Sequence, residues 1–200
     1  MRFTRGELEK FRDATVPDLI GPGLRLLFVG INPGLWTAAV GSHFARRGNR
    51  FYPALSAAGL IDRLIDASAG YHPDDRQHLL DRGIGITNLA TRATARADEL
   101  TPAELVAGAQ ALTATVEAWR PAVVAGAGVT AYRTAFGPRT AAVGRQPADL
   151  AGAQLWVVPN PSGLNAHDTV TSLVGAYRQV GVAAGLVPPI SRDPARPGSA

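Results

Sequence analysis

The sequence predicts an α/β fold: a mainly parallel sheet of four to five strands, covered by helices on both faces. Three observations carry that expectation. Short apolar runs, each closed by Gly, Asn or Pro, recur along the chain. Segments with helical spacing or capping signals separate them. Each strand-to-strand connection is also long enough for a crossover, as parallel neighbours require. Hydrophobic residues make up 46% of the 200 residues and charged ones only 18%, which excludes a disordered polyelectrolyte and allows a sizeable core.

Taken in order, residues 24–30 (LRLLFVG) are an apolar run ended by Gly30, Asn32 and Pro33, the pattern of a buried strand running into a tight loop. Residues 49–66 place Phe51, Leu55, Ala58 and Leu64 at near-helical spacing, with Gly59 as a break between two helical pieces. Residues 74–82 read as a helix and 85–89 as a second strand. Thr101, Pro102 and Glu104 supply an N-cap, a Pro at the first helical position and the acid of a capping box, so a long helix runs to about Trp119.

Pro121 stops that helix, residues 122–126 make a third strand and residues 129–136 a short helix. Residues 154–158 are a fourth strand, cut off by Pro159, Asn160 and Pro161, and residues 170–184 a last helix. A single domain is expected over 1–187. Residues 188–200, rich in Pro and Arg, are expected to be a mobile tail.

Several function classes drop out on composition. With no Cys, a disulfide scaffold, thiolate chemistry and Cys-held zinc or iron–sulfur centres are excluded. Residues 1–17 mix basic and acidic groups without an apolar segment, so they do not read as a secretory signal. No run approaches the ~20 apolar residues of a membrane span, so a cytoplasmic protein is expected, nucleoid-associated if bacterial. The net charge of +4 and pI near 10.1 rest on 19 Arg and one Lys. Guanidinium groups suit phosphate-bearing partners, though an Arg bias also follows from codon usage.

Ligands of parallel sheets gather beyond the carboxyl ends of the strands. Two loops there stand out: Ile31, Asn32, Pro33 and Gly34 after the first strand, and Asn160, Pro161, Ser162, Gly163 and Leu164 after the fourth. Each carries an amide side chain, a Pro-fixed turn and a Gly that lets a ligand approach the backbone. Asn-Pro-x-Gly is also ordinary turn chemistry. Two such loops, leaving what read as neighbouring strands on one edge, favour a site.

Other patterns are weaker. His43, His72, His78 and His167 have no metal-ligand spacing, and His72 and His78 read as solvated or structural. Ser162 lies outside any nucleophile elbow. Asp74 with Asp75, and Asp62 with Asp66, read as helix-start and helix-surface charges. Gly126, Gly128 and Ala131 match a dinucleotide fingerprint with Asp149 about 20 residues on, but residues 141–148 do not read as the strand that should present that acid. Tight strand-to-helix packing is the competing account.

Together, Gly30 to Gly34 (GINPG), Phe44 and Ala45, Asn49 to Tyr52 (NRFY), and Asn160 to Leu164 (NPSGL) resemble the mismatch-specific uracil-DNA and thymine-DNA glycosylase branch of the uracil-DNA glycosylase superfamily. The likeness spans residues 24–178. It implies a three-layer α/β/α sandwich that removes uracil, or a related base, mispaired with guanine in duplex DNA. Such an enzyme must draw a nucleotide out of the stack, hold its base and refill the gap.

By that resemblance Asn32 holds the attacking water. Its amide carbonyl can orient a water but is no efficient general base, so slow turnover follows. Backbone groups of Ile31 and Gly34 would read the base edge. Phe44 would stack on the base, its alternative being a core aromatic; Asn160 would face the pyrimidine and donate to O2, its alternative being a loop cap. Asn88 falls where relatives carry Lys or Asn near the pocket, its alternative being a strand-end cap.

Leu164 matches the residue wedged into the vacated stack, with Ser162, Gly163, Asn165 and His167 placed to contact the opposite strand or phosphates. Asn165 and Ala166 stand where many relatives have Ser-Arg, which removes an Arg contact that His167 would replace. Arg46, Arg47 and Arg50 are candidate phosphate contacts, although Asn49 and Arg50 read first as architecture.

The resemblance implies no cofactor and no metal. Lys10 is the sole lysine and lies outside both motifs, so a Schiff-base lyase has no nucleophile and a monofunctional glycosylase is expected. A monomer acting on duplexes with G·U or G·T mispairs is expected, handing its abasic product to downstream processing enzymes. The competing expectations are a noncatalytic lesion- or nucleotide-binding module and a dinucleotide-dependent oxidoreductase.

Overall fold

The computed structural model describes residues 2–163 and 169–189. Leu164, Asn165, His167 and most of the expected tail lie outside the described residues.

Five strands form one sheet: β1 (Leu26–Gly30), β2 (Ile84–Asn88), β3 (Val123–Ala127), β4 (Gly144–Arg145) and β5 (Gln154–Val158), in the order β2-β1-β3-β5-β4. All pairings are parallel except that of β4 with β5. Parallel strands sit inside a domain with both faces covered, and β1 is buried along its whole length. Its side chains alternate. Leu26 and Phe28 enter one core, Leu27 and Val29 the other.

The first core is closed by α3 (Phe51–Ala57), α4 (Pro73–Asp81) and α7 (Val170–Ala183), through Phe51, Leu55, Leu79, Leu173, Tyr177 and Val180. The second is closed by α5 (Pro102–Trp119) and α6 (Val129–Phe136), through Leu105, Leu112, Val116 and Tyr132. The result is the expected three-layer α/β/α sandwich. Two short helices, α1 (Arg5–Glu9) and α2 (Leu35–Val40), lie against each other, and α2 packs Trp36 and Val40 against the first core. Among the described residues no helix is long and apolar enough to cross a membrane.

Local chemistry explains the principal boundaries. The Thr101 hydroxyl accepts from the Glu104 N–H at 3.2 Å while the Glu104 carboxylate accepts from the Thr101 N–H at 2.8 Å, so the anticipated capping box starts α5. At the sheet edge, Leu19 and Ile86 exchange two backbone hydrogen bonds, which covers the open side of β2.

Three expectations need correcting. Residues 49–66 form one helix, not two. Gly59 takes φ +76° and ends the run, and Leu60, Ile61 and Ile65 reach the core from an irregular segment while Leu64 is 62% exposed. Of the residues at helical spacing, Phe51 and Leu55 lie on that one helix, and Leu64 keeps the spacing by coincidence from an exposed position. Residues 141–148 do contain a strand, β4, but it is two residues long and antiparallel. Finally, β1 and β5 are not neighbours, because β3 lies between them.

Candidate active site

The carboxyl ends of β1, β2, β3 and β5 open into one cavity of about 150 Å³. An apolar cavity of roughly that volume accepts a benzene ring, so the space suits a single six-membered ring. Ile31, Asn32, Pro33 and Gly34 form one side and Asn160 and Ser162 another, with Phe44, Asn88, His43, Thr94 and Arg46 completing the wall.

The two Asn loops converge even though β3 separates their strands. Gly128, which follows β3 with φ +107°, lies between them: a Cβ there would be in ordinary contact, 3.7 Å, with both Asn160 and Ile31 Cδ1, so both loops flank this one residue. The stretch from Gly126 to Ala131 thus runs between the loops, and Ala131 packs into the second core. Beside it lies a space of only about 10 Å³, and Asp149 is paired with Arg145 at 2.5 Å. Neither a ring-sized space under this turn nor an unpaired Asp149 is present to support the fingerprint reading.

Asn32 is held in one orientation. Its Nδ2 donates to Thr94 Oγ1 at 2.8 Å, to the Arg92 carbonyl at 3.1 Å and to the Pro33 carbonyl at 3.1 Å. Thr94, 1% exposed, donates its own hydroxyl proton to the Arg96 carbonyl at 2.7 Å. Its oxygen is thereby fixed as an acceptor toward Asn32. With the nitrogen committed, the polar atom that Asn32 offers is Oδ1, which accepts from none of the described residues. Backbone bonds hold the loop from behind: Leu89, Ala90 and Thr94 N–H groups donate to the Gly30, Ile31 and Pro33 carbonyls.

Phe44 is half-buried, at φ +54°, with one ring face stacked on Phe51 at 4.0 Å between centroids and 20° between planes. Phe51 in turn meets Phe28 of β1 edge-on at 5.1 Å. A chain of aromatic contacts thus fixes the cavity wall to the core: Phe44 is the core contact that its alternative reading expects and also lines the cavity. Just before it, the carbonyl of His43 accepts from the Tyr52 hydroxyl at 2.9 Å, and Tyr52 lies 2.8 Å from Tyr71. Burial pushes both phenols up, Tyr71 to about 12, so both stay protonated donors.

Asn88 ends β2 and lines the cavity. Its Oδ1 lies where a Cβ on Gly30 would come within 2.4 Å, so that glycine makes room for the amide. His43, 3% exposed, also lines the cavity, a place that its lack of metal-ligand spacing in the sequence does not reveal. Burial lowers its pKa, partly offset by the Pro17 carbonyl 3.0 Å from Nε2. A carbonyl can only accept, so the neutral ring carries its proton on Nε2 and keeps Nδ1 as an acceptor.

The second loop is built differently. Asn160 Oδ1 accepts from the Ser162 N–H at 3.0 Å, an Asx turn, so the loop-capping role is real. Arg50 donates to the Ser162 carbonyl at 2.6 Å, and its main-chain N–H donates to the Pro161 carbonyl at 3.0 Å. A Cβ on Gly163 would meet the Gly48 carbonyl at 2.7 Å, so the two backbones touch. Arg50 is thus architecture, as the Asn49–Arg50 pair suggested. Arg46 and Arg47 are exposed, and neither makes an ion pair among the described residues.

The remaining candidates have ordinary explanations. Asp75 is buried against Arg63 at 2.6 Å, His78 sits 2.9 Å from Asp62, and Asp66 accepts from the Ser68 N–H. Among the described residues no three His, Asp or Glu side chains gather as a metal group. Thr94, Arg92 and His43 are what sequence reasoning missed. Asn32 and Thr94 are 62 residues apart, and no local pattern marks a partner at that separation.

Residues 17–179 match the family model described as the Uracil DNA glycosylase superfamily. Among solved structures, the solution NMR structure of a Methanosarcina acetivorans protein provisionally identified as a uracil DNA glycosylase superposes with a TM-score of 0.57. That match covers 83% of this chain and 96% of the other at 14% identity, a level that speaks to fold alone. The family match extends over most of the sequence and contains both Asn loops, and on that ground the chain belongs to the uracil DNA glycosylase superfamily.

Proposed function

We propose that the protein is a monofunctional DNA glycosylase that excises uracil, and more slowly thymine or a related base, from mispairs with guanine in duplex DNA. The observation that carries this reading is the tethering of Asn32: its nitrogen is tied down, which leaves its carbonyl oxygen to serve the one-ring cavity that Asn32 lines. Family membership supports the glycosylase class. The narrower mismatch preference rests on the resemblance of both loops.

In this mechanism the flipped base lies against the outer face of Phe44. Asn88, the backbone of Ile31 and Gly34, and the amide of Asn160 meet its polar edge. The N-glycosidic bond breaks with its electron pair passing to N1 of the pyrimidine, and positive charge develops at the sugar C1′. A water accepted by Asn32 Oδ1 adds its oxygen to C1′ and releases its proton to the departing base or to solvent. An amide withdraws no proton efficiently, so positioning does the catalysis. Lys10 is not among the cavity residues, so no amine is at hand to form a Schiff base.

Ser162, Gly163, Leu164, Asn165 and His167 would fill the gap and face the widowed guanine, with Arg46 and Arg47 beside the phosphate track. The test is release of free base from duplexes carrying U, T or hypoxanthine opposite each normal base, scored as alkali-labile breaks. Cleavage strongest for U opposite G is expected, with affinity falling steeply as salt rises. Binding of mispaired duplex without base release would select the noncatalytic module instead.

A further inference from the structure

Asn32 takes its orientation from the segment after β2, and that segment is itself held by a side chain outside the cavity. Arg92 is placed at the join. Its main-chain carbonyl accepts from Asn32 Nδ2 at 3.1 Å. Its guanidinium donates to both carboxylate oxygens of Glu104, at 2.5 and 3.2 Å, to Asp13 at 3.1 Å and to the Glu99 carbonyl at 3.0 Å.

Each of those partners is anchored elsewhere. Glu104 closes the capping box of α5 and is held down to about 2 by Arg92 and Thr101. Asp13 donates its N–H to the Ala93 carbonyl, next to Arg92, and the Ala93 N–H donates to the Ala14 carbonyl. Arg12 pairs with Glu99 on the same strap. The segment carrying Thr94 is therefore pinned between the start of α5 and residues 12–14, with one guanidinium bridging the two.

We propose that Arg92 is a positioning residue for base excision: its fork-like clamp on Glu104 and Asp13 fixes the carbonyl that, with Thr94, turns the Asn32 amide so that Oδ1 faces the cavity. The inference rests on the glycosylase reading for its effect on rate, but its geometric part does not. Guanidinium geometry matters here, because five donors in one plane reach two carboxylates and a carbonyl at once. An ammonium group cannot reproduce that set.

The experiment uses the full chain and two readouts. In ¹H–¹⁵N spectra, the Asn32 side-chain NH₂ pair is assigned by its disappearance in Asn32→Ala. Arg92→Met should move that pair toward solvent-exposed positions and speed its hydrogen exchange, and Arg92→Lys should give an intermediate shift. In single-turnover assays Arg92→Met should lose roughly tenfold to 100-fold in rate, the scale of a small misplacement of a reacting group. Affinity for mispaired duplex should stay within about twofold, because an interaction felt only in the transition state alters rate and not ground-state binding.

Arg12→Ala is the control, since Arg12 braces the strap without holding the Asn32 carbonyl partner. It should leave both readouts unchanged. An unmoved Asn32 pair in Arg92→Met overturns the proposal whether or not base is released. Equal losses of rate and affinity, or an Arg12→Ala effect as large as that of Arg92→Met, overturn it too, in favour of general loop support. Failure of the unaltered protein to release any base would contradict the glycosylase reading while the spectral comparison still decides the role of Arg92.

Discussion

The two Asn-Pro loops share a sequence pattern and use it with opposite polarity. In the loop after β1, the Asn32 nitrogen is bonded to Thr94 and to two carbonyls, and the amide presents its oxygen. In the loop after β5 it is the Asn160 oxygen that is bonded within the loop, accepting from the Ser162 N–H in an Asx turn. A water needs an acceptor to orient it, and a pyrimidine carbonyl needs a donor. The difference teaches that Asn-Pro with a Gly close behind specifies a turn, while the partners around it decide which end of the amide is tied down.

Predictions that break or sharpen this contrast run from large to small. Asn32→Ala removes the presented oxygen and should cut single-turnover base release on the order of 1000-fold, comparable to loss of a preorganised hydrogen-bonding group elsewhere. Duplex affinity should persist, as measured by anisotropy. A variant that loses binding but keeps its cleavage rate would remove Asn32 from the chemistry.

Thr94→Val takes away the neutral acceptor at 2.8 Å and frees the Asn32 amide to turn over. A rate loss of roughly tenfold to 100-fold is expected, with a melting temperature lowered by only the few degrees that one hydrogen bond represents. Asn160→Ser keeps an oxygen for the Ser162 N–H but deletes the amide donor. Release should slow about tenfold, near 1.4 kcal/mol, while the loop keeps its shape in amide exchange. Full activity in that variant would reduce Asn160 to a turn residue.

The smallest effect concerns pH. Burial holds the His43 pKa below its ordinary value, so the folded protein binds that proton less readily than the unfolded chain. The associated stability is complete above about pH 6.5, the unfolded value. It is lost as pH falls through the lowered folded value. Melts between pH 8 and pH 5 should show His43→Gln losing less stability on acidification than the unaltered protein. Parallel curves would show that His43 contributes nothing to the slope.

Much of this arrangement is legible in the chain. Within the runs at 24–30, 122–126 and 154–158, residues 26–30, 123–125, 155, 157 and 158 are buried, on both faces of the sheet, and that burial leaves an apolar signature. The capping box at Thr101 and Glu104 is a three-residue pattern that survives intact in α5. Asn32, Gly34, Phe44, Asn88 and Asn160 fall in one cavity, as their motifs imply.

What escaped has a common cause. α1, α2 and β4 run to 5, 6 and 2 residues, too short to show a period. Thr94, Arg92 and His43 act through contacts made across the fold, with Pro17, Glu104, Asp13 or Asn32, and such partners leave no mark in local spacing. Even the convergence of the two loops spans the intervening β3, whose following glycines the sequence offered more readily as a nucleotide fingerprint.

The most direct test follows the side-chain amide resonances of Asn32 and Asn160 while a G·U duplex is added, its uridine carrying a 2′-fluorine that slows bond cleavage by disfavouring a cationic sugar. Both pairs should shift together and saturate at one duplex per protein, because a single everted base touches the water site of one loop and the donor of the other. If only one pair responds, or the two saturate at different ratios, the loops do not share a ligand.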